Sequence, residues 1–391
     1  MQGLLREGHA LLESVLGLSG AREPSEARAL VLHGLGTIIY TYRNFGDALP
    51  ALEEALGICR AIHYRNGLAL VLNSLGWVQL QVGDYEGARA TCTEGLTLNR
   101  ELEELRGMAV ALNNLGWLTN HTGEFRDSVA YHEESLLYRR KVQDPRGIGF
   151  ALINMAWSLI HWGRFDRARK SLDEAEAVLR SLDDAQIPAW GVGMRGFLHL
   201  AEGRFDDAVR LLRESLAAWR RIGNVFGAAI ILGSLGEAEI EVGRLDVARE
   251  ALDEAMKTFE EARNPWGTSW MHLALGRLAE RAGDANEARR RHRLALKISS
   301  ELNHRWRATL AMEALAGALG DGEEVKAAWL VGASERVRGE IDTPILPREV
   351  ASLEEARERL RRTLGRKGFD RALSVGRGLS FEKAVETALS P

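Results

Sequence analysis

The sequence predicts an all-α protein, a right-handed α-solenoid (superhelix) of about seven 40-residue helical hairpins closed by a helical C-terminal cap. Three observations predict it. A phrase returns every forty residues, in the forms LGWVQLQVGDYEGA, LGWLTNHTGEFRDS, MAWSLIHWGRFDRA, RGFLHLAEGRFDDA, LGEAEIEVGRLDVA and LGRLAERAGDANEA. Its turn glycine falls at Gly83, Gly123, Gly163, Gly203, Gly243 and Gly283, so no insertion breaks the register. Apolar residues around it recur at helical spacing and nowhere alternate as a strand's would.

Each copy splits into two helices. In the copy that starts at Gly67, Leu68, Leu72, Leu75 and Val82 mark helix A. The turn glycine then ends it by taking a positive φ, and Asp84 caps helix B. Helix B carries Ala88, Cys92, Gly95 and Leu96 on one face, small enough for close approach. Glu94, Glu134, Glu174, Glu214 and Glu254 stand beside that face as solvated positions. A polar turn ending in Gly67, Gly107, Gly147, Gly227 or Gly267 leads to the next hairpin. One hairpin cannot bury both of its apolar faces, so neighbours must stack, with contacts expected only between adjacent repeats.

Composition narrows the role. The 391 residues are 46% hydrophobic and 27% charged, with net charge -4, so no overall basic footprint for nucleic acid or an anionic membrane exists. Arg289 to Arg293 and Arg357 to Arg371 are interleaved with acids or confined to one helix, which reads as a solvated face. No run approaches a membrane span, and Arg6, Glu7, His9 and Glu13 interrupt any signal peptide. Two cysteines, Cys59 and Cys92, fit buried thiols in a reducing cytoplasm. Without a phosphate loop, an HExxH pair or a nucleophile elbow, the chain is expected to be no enzyme, with no cofactor and no metal.

The LG pair, the turn glycine with its charged neighbour, the aromatic and the later alanine resemble the tetratricopeptide repeat over about Ser25 to His304. Glu237 and Arg277 depart from it where an inner aromatic is usual. The segment GHALLESVLGL resembles the second helix of a truncated repeat, and the stretch from Ala327 resembles the closing segment of large bacterial ATP-dependent (STAND/LuxR-type) regulators. Residues 1–24, 25–305 and 306–391 are thus read as a half-repeat, the array, and a degenerate last repeat with a helical cap.

The resemblance places recurring helix A positions on a concave face: Asn73 and Trp77, then Asn113, Trp117, Asn120 and His121, then Trp157 and His161, then Trp190 and Phe197. Rings there bury area and amides satisfy a ligand's backbone. His121 and His161 sit too far apart in stacked helices to share a metal without other ligands. Gly191, Gly193 and Gly196 disfavour their helix by about 1 kcal/mol each. Either close packing offsets this, or Gly193 and Gly233 open a pocket bounded by Trp157, Trp190 and Phe197. The expected role is a protein- or peptide-binding scaffold, the effector-sensing module of a bacterial regulator. Self-association through open solenoid ends and small-molecule reception near repeat five are the alternatives.

Overall fold

A computed structural model describes residues 2–18, 23–42, 45–180 and 186–390. Among these residues the fold is all-α, nineteen helices with no strand. Helix α1 (Gln2–Leu16) leads. Seven hairpins follow: α2 (Glu26–Tyr42) with α3 (Leu49–Ala61), α4 (Arg65–Val82) with α5 (Tyr85–Glu101), α6 (Leu105–Thr122) with α7 (Phe125–Lys141), and α8 (Pro145–His161) with α9 (Phe165–Leu179). The others are α10 (Gln186–Ala201) with α11 (Phe205–Ile222), α12 (Val225–Glu241) with α13 (Leu245–Glu261), and α14 (Pro265–Arg281) with α15 (Ala285–Glu301). Beyond them lie α16 (Arg305–Ala318), α17 (Glu324–Glu340), α18 (Pro347–Gly378) and α19 (Phe381–Leu389). A left-handed Gly365 breaks α18 into two pieces.

From α4 to α15 the turn glycine of each hairpin takes the expected positive φ, but among these helices B a side chain caps only those that begin after Asp84 and Asp284. Gly83 has φ 88°, and the N–H groups of Gly83 and Asp84 return to the Leu80 and Gln79 carbonyls. The Asp84 carboxylate then accepts the Gly87 N–H at 2.9 Å. Between hairpins the structure corrects the reading. The left-handed residue there is His63, Glu103, Gln143, Arg263 or Asn303, and a glycine only at Gly223. Gly107, Gly147, Gly227 and Gly267 lie inside the first turn of helix A, where a β-carbon would run into Asn99, Arg139, Trp219 or Phe259 of the preceding helix B. They are glycine for packing. Asp144, Asn224 and Asn264 accept the N–H of Gly147, Gly227 and Gly267 and cap those helices.

On the B helices the recurring glutamates are paired instead of merely solvated. Arg60 reaches Glu94 at 2.8 Å, Arg100 reaches Glu134 at 3.0 Å, Arg140 reaches Glu174, and Arg220 reaches Glu254 at 2.8 Å. Every pair spans 34 residues and joins one hairpin to the next. Such exposed pairs stabilise little, and their regularity reports the constant step between repeats. The ladder lapses at Arg180, which turns to Glu176 of its own helix.

Contacts are not confined to neighbours. The Asn264 amide donates to the Gln81 carbonyl and to Gln81 Oε1, 183 residues away, at 2.9 and 3.2 Å. Trp162 Nε1 donates to Asp342, 180 residues away. A β-carbon on Gly123 would sit 2.9 Å from that of Trp306, and one on Gly163 would meet Pro344. The hairpin turns of the first half therefore rest on helix starts between four and five repeats later, and the coil closes on itself. No described helix is long and apolar enough to cross a membrane.

Candidate ligand-binding hollow

The forty-residue spacing does align the aromatic positions along the inner wall. Trp117 lies 6.1 Å from Trp157, and Trp157 stacks on Phe197 at 4.7 Å with rings 10° from parallel. The ladder then changes chemistry. Glu237 and Arg277 occupy its next two rungs and form an ion pair at 3.2 Å.

Closure of the coil fills the middle of this hollow. His121 stacks on Trp266 at 5.0 Å, and His161 meets Trp306 edge-on at 4.5 Å while stacking on Phe125 and Phe197. Trp157 is consequently 6% exposed, Phe197 3% and His161 2%, so the expected open groove is replaced by a sealed aromatic seam. Asn73, Asn120 and His121 are also buried, whereas Trp77, Asn113 and Trp117 stay half-buried. Burial, reinforced by Arg307, pushes the His121 imidazole down to about 3. His161 is pushed to the same value chiefly by burial. Both rings are neutral at pH 7.

Two placements are corrected. Trp190 leaves the ladder and packs edge-to-face on Trp219. Gly193 and Gly233 do not open the pocket expected beside Trp157, Trp190 and Phe197, because neighbouring side chains fill the space: a β-carbon on Gly193 would lie 2.7 Å from Ser215 Oγ and one on Gly233 2.7 Å from Met271. Close packing accounts for these glycines. Gly191 instead borders a separate cavity between α9 and α10 with Ile153, Leu179 and Ile187.

Asn154 Nδ2 donates to Asn113 Oδ1, tying adjacent A helices together. Asn120 behaves differently, since among the described residues neither its side-chain oxygen nor its side-chain nitrogen has a partner, and Asn73 Oδ1 also lacks one. A buried amide without partners costs about 1–3 kcal/mol.

Sequence reasoning missed the opposite wall. Trp266, Trp270 and Trp306 surround the Arg307 guanidinium, at 4.9, 5.8 and 5.8 Å from its central carbon. Arg307 is buried with no ion-pair partner among the described residues. Burial drives its pKa down to about 9 against the pull of Glu237 and Tyr85. Glu237 is shared among Trp270 Nε1, Arg277 and Arg348. Burial alone would raise its carboxyl, but Arg348 and Arg277 outweigh that and hold it below the usual range. Trp266 and Trp306 stand forty residues apart and Glu237 keeps the ladder's register, but their meeting with Arg307 and Arg348 depends on the coil's pitch.

The tetratricopeptide repeat family matches residues 107–181, 192–261 and 227–301. No curated protein sequence matches the chain. Among solved structures, a Rap protein complexed with competence and sporulation factor is similar at 14% identity and TM-score 0.60, over 87% of this chain and 99% of that one. A Signal Transduction ATPase with Numerous Domains that carries a tetratricopeptide repeat sensor, from Pyrococcus horikoshii, is similar at 14% identity and TM-score 0.50, over 90% of this chain and 55% of that one. Residues 107–181 and 192–301 are therefore tetratricopeptide repeats, in a solenoid whose fold is similar to that of such proteins.

Proposed function

We propose that the chain is a non-catalytic scaffold that binds a protein or peptide in its hollow and serves as the effector-sensing module of a bacterial, cytoplasmic signalling or transcriptional regulator. The observation that carries this reading is Asn120, a buried amide with both polar atoms unpartnered beside the aromatic seam. A ligand backbone supplies the missing donor and acceptor, and the rings supply apolar area. Asn73, Asn113, Trp117, His121, Trp157, His161 and Phe197 are the wall it meets, and Trp77 flanks them. Likeness in fold to a Rap protein solved with competence and sporulation factor supports the reading.

Entry requires the seam to part, so binding and coil opening are linked, and the ligand shifts the array toward an open form. Selection of random hexapeptides on the immobilised chain tests this. Enriched sequences should bind wild type and lose about ten-fold or more in affinity to Asn120→Ala and to Trp117→Ala. An empty selection, or equal binding by both variants, overturns the reading. Self-association is a second reading, supported by Leu4 and Leu11 of α1, 74% and 63% exposed. A light-scattering mass that stays monomeric across a dilution series removes it.

A further inference from the structure

At one end of the seam the structure opens a cavity of about 220 Å³ between α10, α12, α14, α16 and α18. Its lining includes Glu237, Arg277 and Arg348, together with Leu310 of α16, one helical turn beyond Arg307. Three guanidinium groups gather on this side. One carboxylate, Glu237, accepts from Arg277 at 3.2 Å and from Arg348 at 3.3 Å, Glu349 and Glu241 also attract Arg348, and Glu237 is the leading attraction felt by Arg307, which has no ion-pair partner among the described residues. The Arg348 side chain is 6% exposed, and its Nε has no acceptor. Burying the Arg307 guanidinium without a paired anion is expensive, and an anion entering the cavity beside Arg277 and Arg348 would relieve that cost.

The rest of the lining is mostly acidic, with Arg281 as a further cation. Among the described residues Glu241 and the exposed Glu355 line the cavity without forming an ion pair, although Glu241 attracts Arg348 at longer range, whereas Glu313 and Glu349 are committed to Arg338 and Glu280 to His292. A dianion such as phosphate would meet these free carboxylates, and a simple amine would leave the arginines uncompensated. A ligand with both charges satisfies both sides.

We propose that this cavity is a binding site for a small zwitterion of amino-acid or dipeptide size, its carboxylate held by Arg348 and Arg277 with Arg307 behind them, and its cationic end facing Glu241 and Glu355. The volume suits one such molecule, and the site lies apart from Asn120 and the Trp117–Trp157 ladder. Occupation would tie α18 to α12 and α14 through the ligand and add to the closure of the coil.

Titration calorimetry of the full chain with L-lysine, L-arginine and alanyl-lysine tests the assignment, with cadaverine, agmatine, acetate and inorganic phosphate as controls that carry charge of one sign only. At least one zwitterion should bind saturably, with no control within about ten-fold of its affinity, as expected for loss of a charged hydrogen-bonding partner. Arg348→Met should remove that preference over the amine. Should this variant fail to fold, Glu355→Gln, a surface change, must still weaken zwitterion binding several-fold. Absence of binding by all three zwitterions, equal binding by cadaverine or phosphate, or unchanged affinity in Glu355→Gln overturns the proposal.

Discussion

The seam's histidines and arginine make opposite demands on solvent. His121 and His161 of the seam, and His132 of α7, which is buried against Gly116, are each pushed to about 3 by burial, against an ordinary value of 6.5. Between these values the unfolded chain binds the extra protons, so acid removes stability. Each ring contributes a slope of up to about 1.4 kcal/mol per pH unit from pH 6.5 down toward pH 3. Urea denaturation at pH 7.5, 6.5 and 5.5 should show little change over the first step and a clear fall over the second; a flat profile would contradict the burial. Arg307 is the reverse case, a cation whose charge strains the fold. Arg307→Met should stabilise the ligand-free protein by about 1 kcal/mol or more, despite the lost ring contacts, because it removes an unpaired buried charge. A fall in Tm would show that the tryptophan cage compensates the charge fully. Neither residue's situation was legible beforehand. His121 and His161 read as groove-wall positions, and Arg307 drew no attention, because a linear pattern records which residues recur and not what comes to face them.

At the scale of elements the sequence was far more informative. From α4 to α15 each helix A to helix B turn is where its glycine stands, since positive φ at that point leaves few other residues possible. The second set of glycines was misread as turn formers, because a glycine required by a neighbour's bulk looks the same in sequence as one required by φ. The two roles separate by mutation. Gly243 has φ 81° with open space around it, whereas Gly123 has φ 87° and also abuts Trp306. Alanine at Gly243 should cost about 1–2 kcal/mol from the backbone alone. Alanine at Gly123 should cost measurably more, and equal values in denaturation curves would mean that the Trp306 contact carries no weight. Repeat spacing was legible from forty-residue recurrence, but the Arg–Glu ladder was not, because its 34-residue step joins positions that no single repeat contains.

For the whole molecule, the decisive contacts are the ones that skip four repeats. Asn264 is 1% exposed and its side chain makes three hydrogen bonds, one capping α14 and two crossing to Gln81. Asn264→Ala should cost about 1–3 kcal/mol and loosen the coil. Small-angle scattering should then report a larger radius of gyration, and an unchanged radius would show that the aromatic seam alone holds the closure. An open solenoid tolerates gain or loss of a repeat, because each unit answers only to its neighbours. This one does not have that freedom. Cutting out one forty-residue unit between Gly83 and Asn264 would preserve every stacked interface, yet each turn would then face a helix start offset by a full repeat, with Gln81 left opposite no asparagine. The circle of hairpins therefore counts its own members. Copy number, the property repeat families vary most easily, is here locked by geometry.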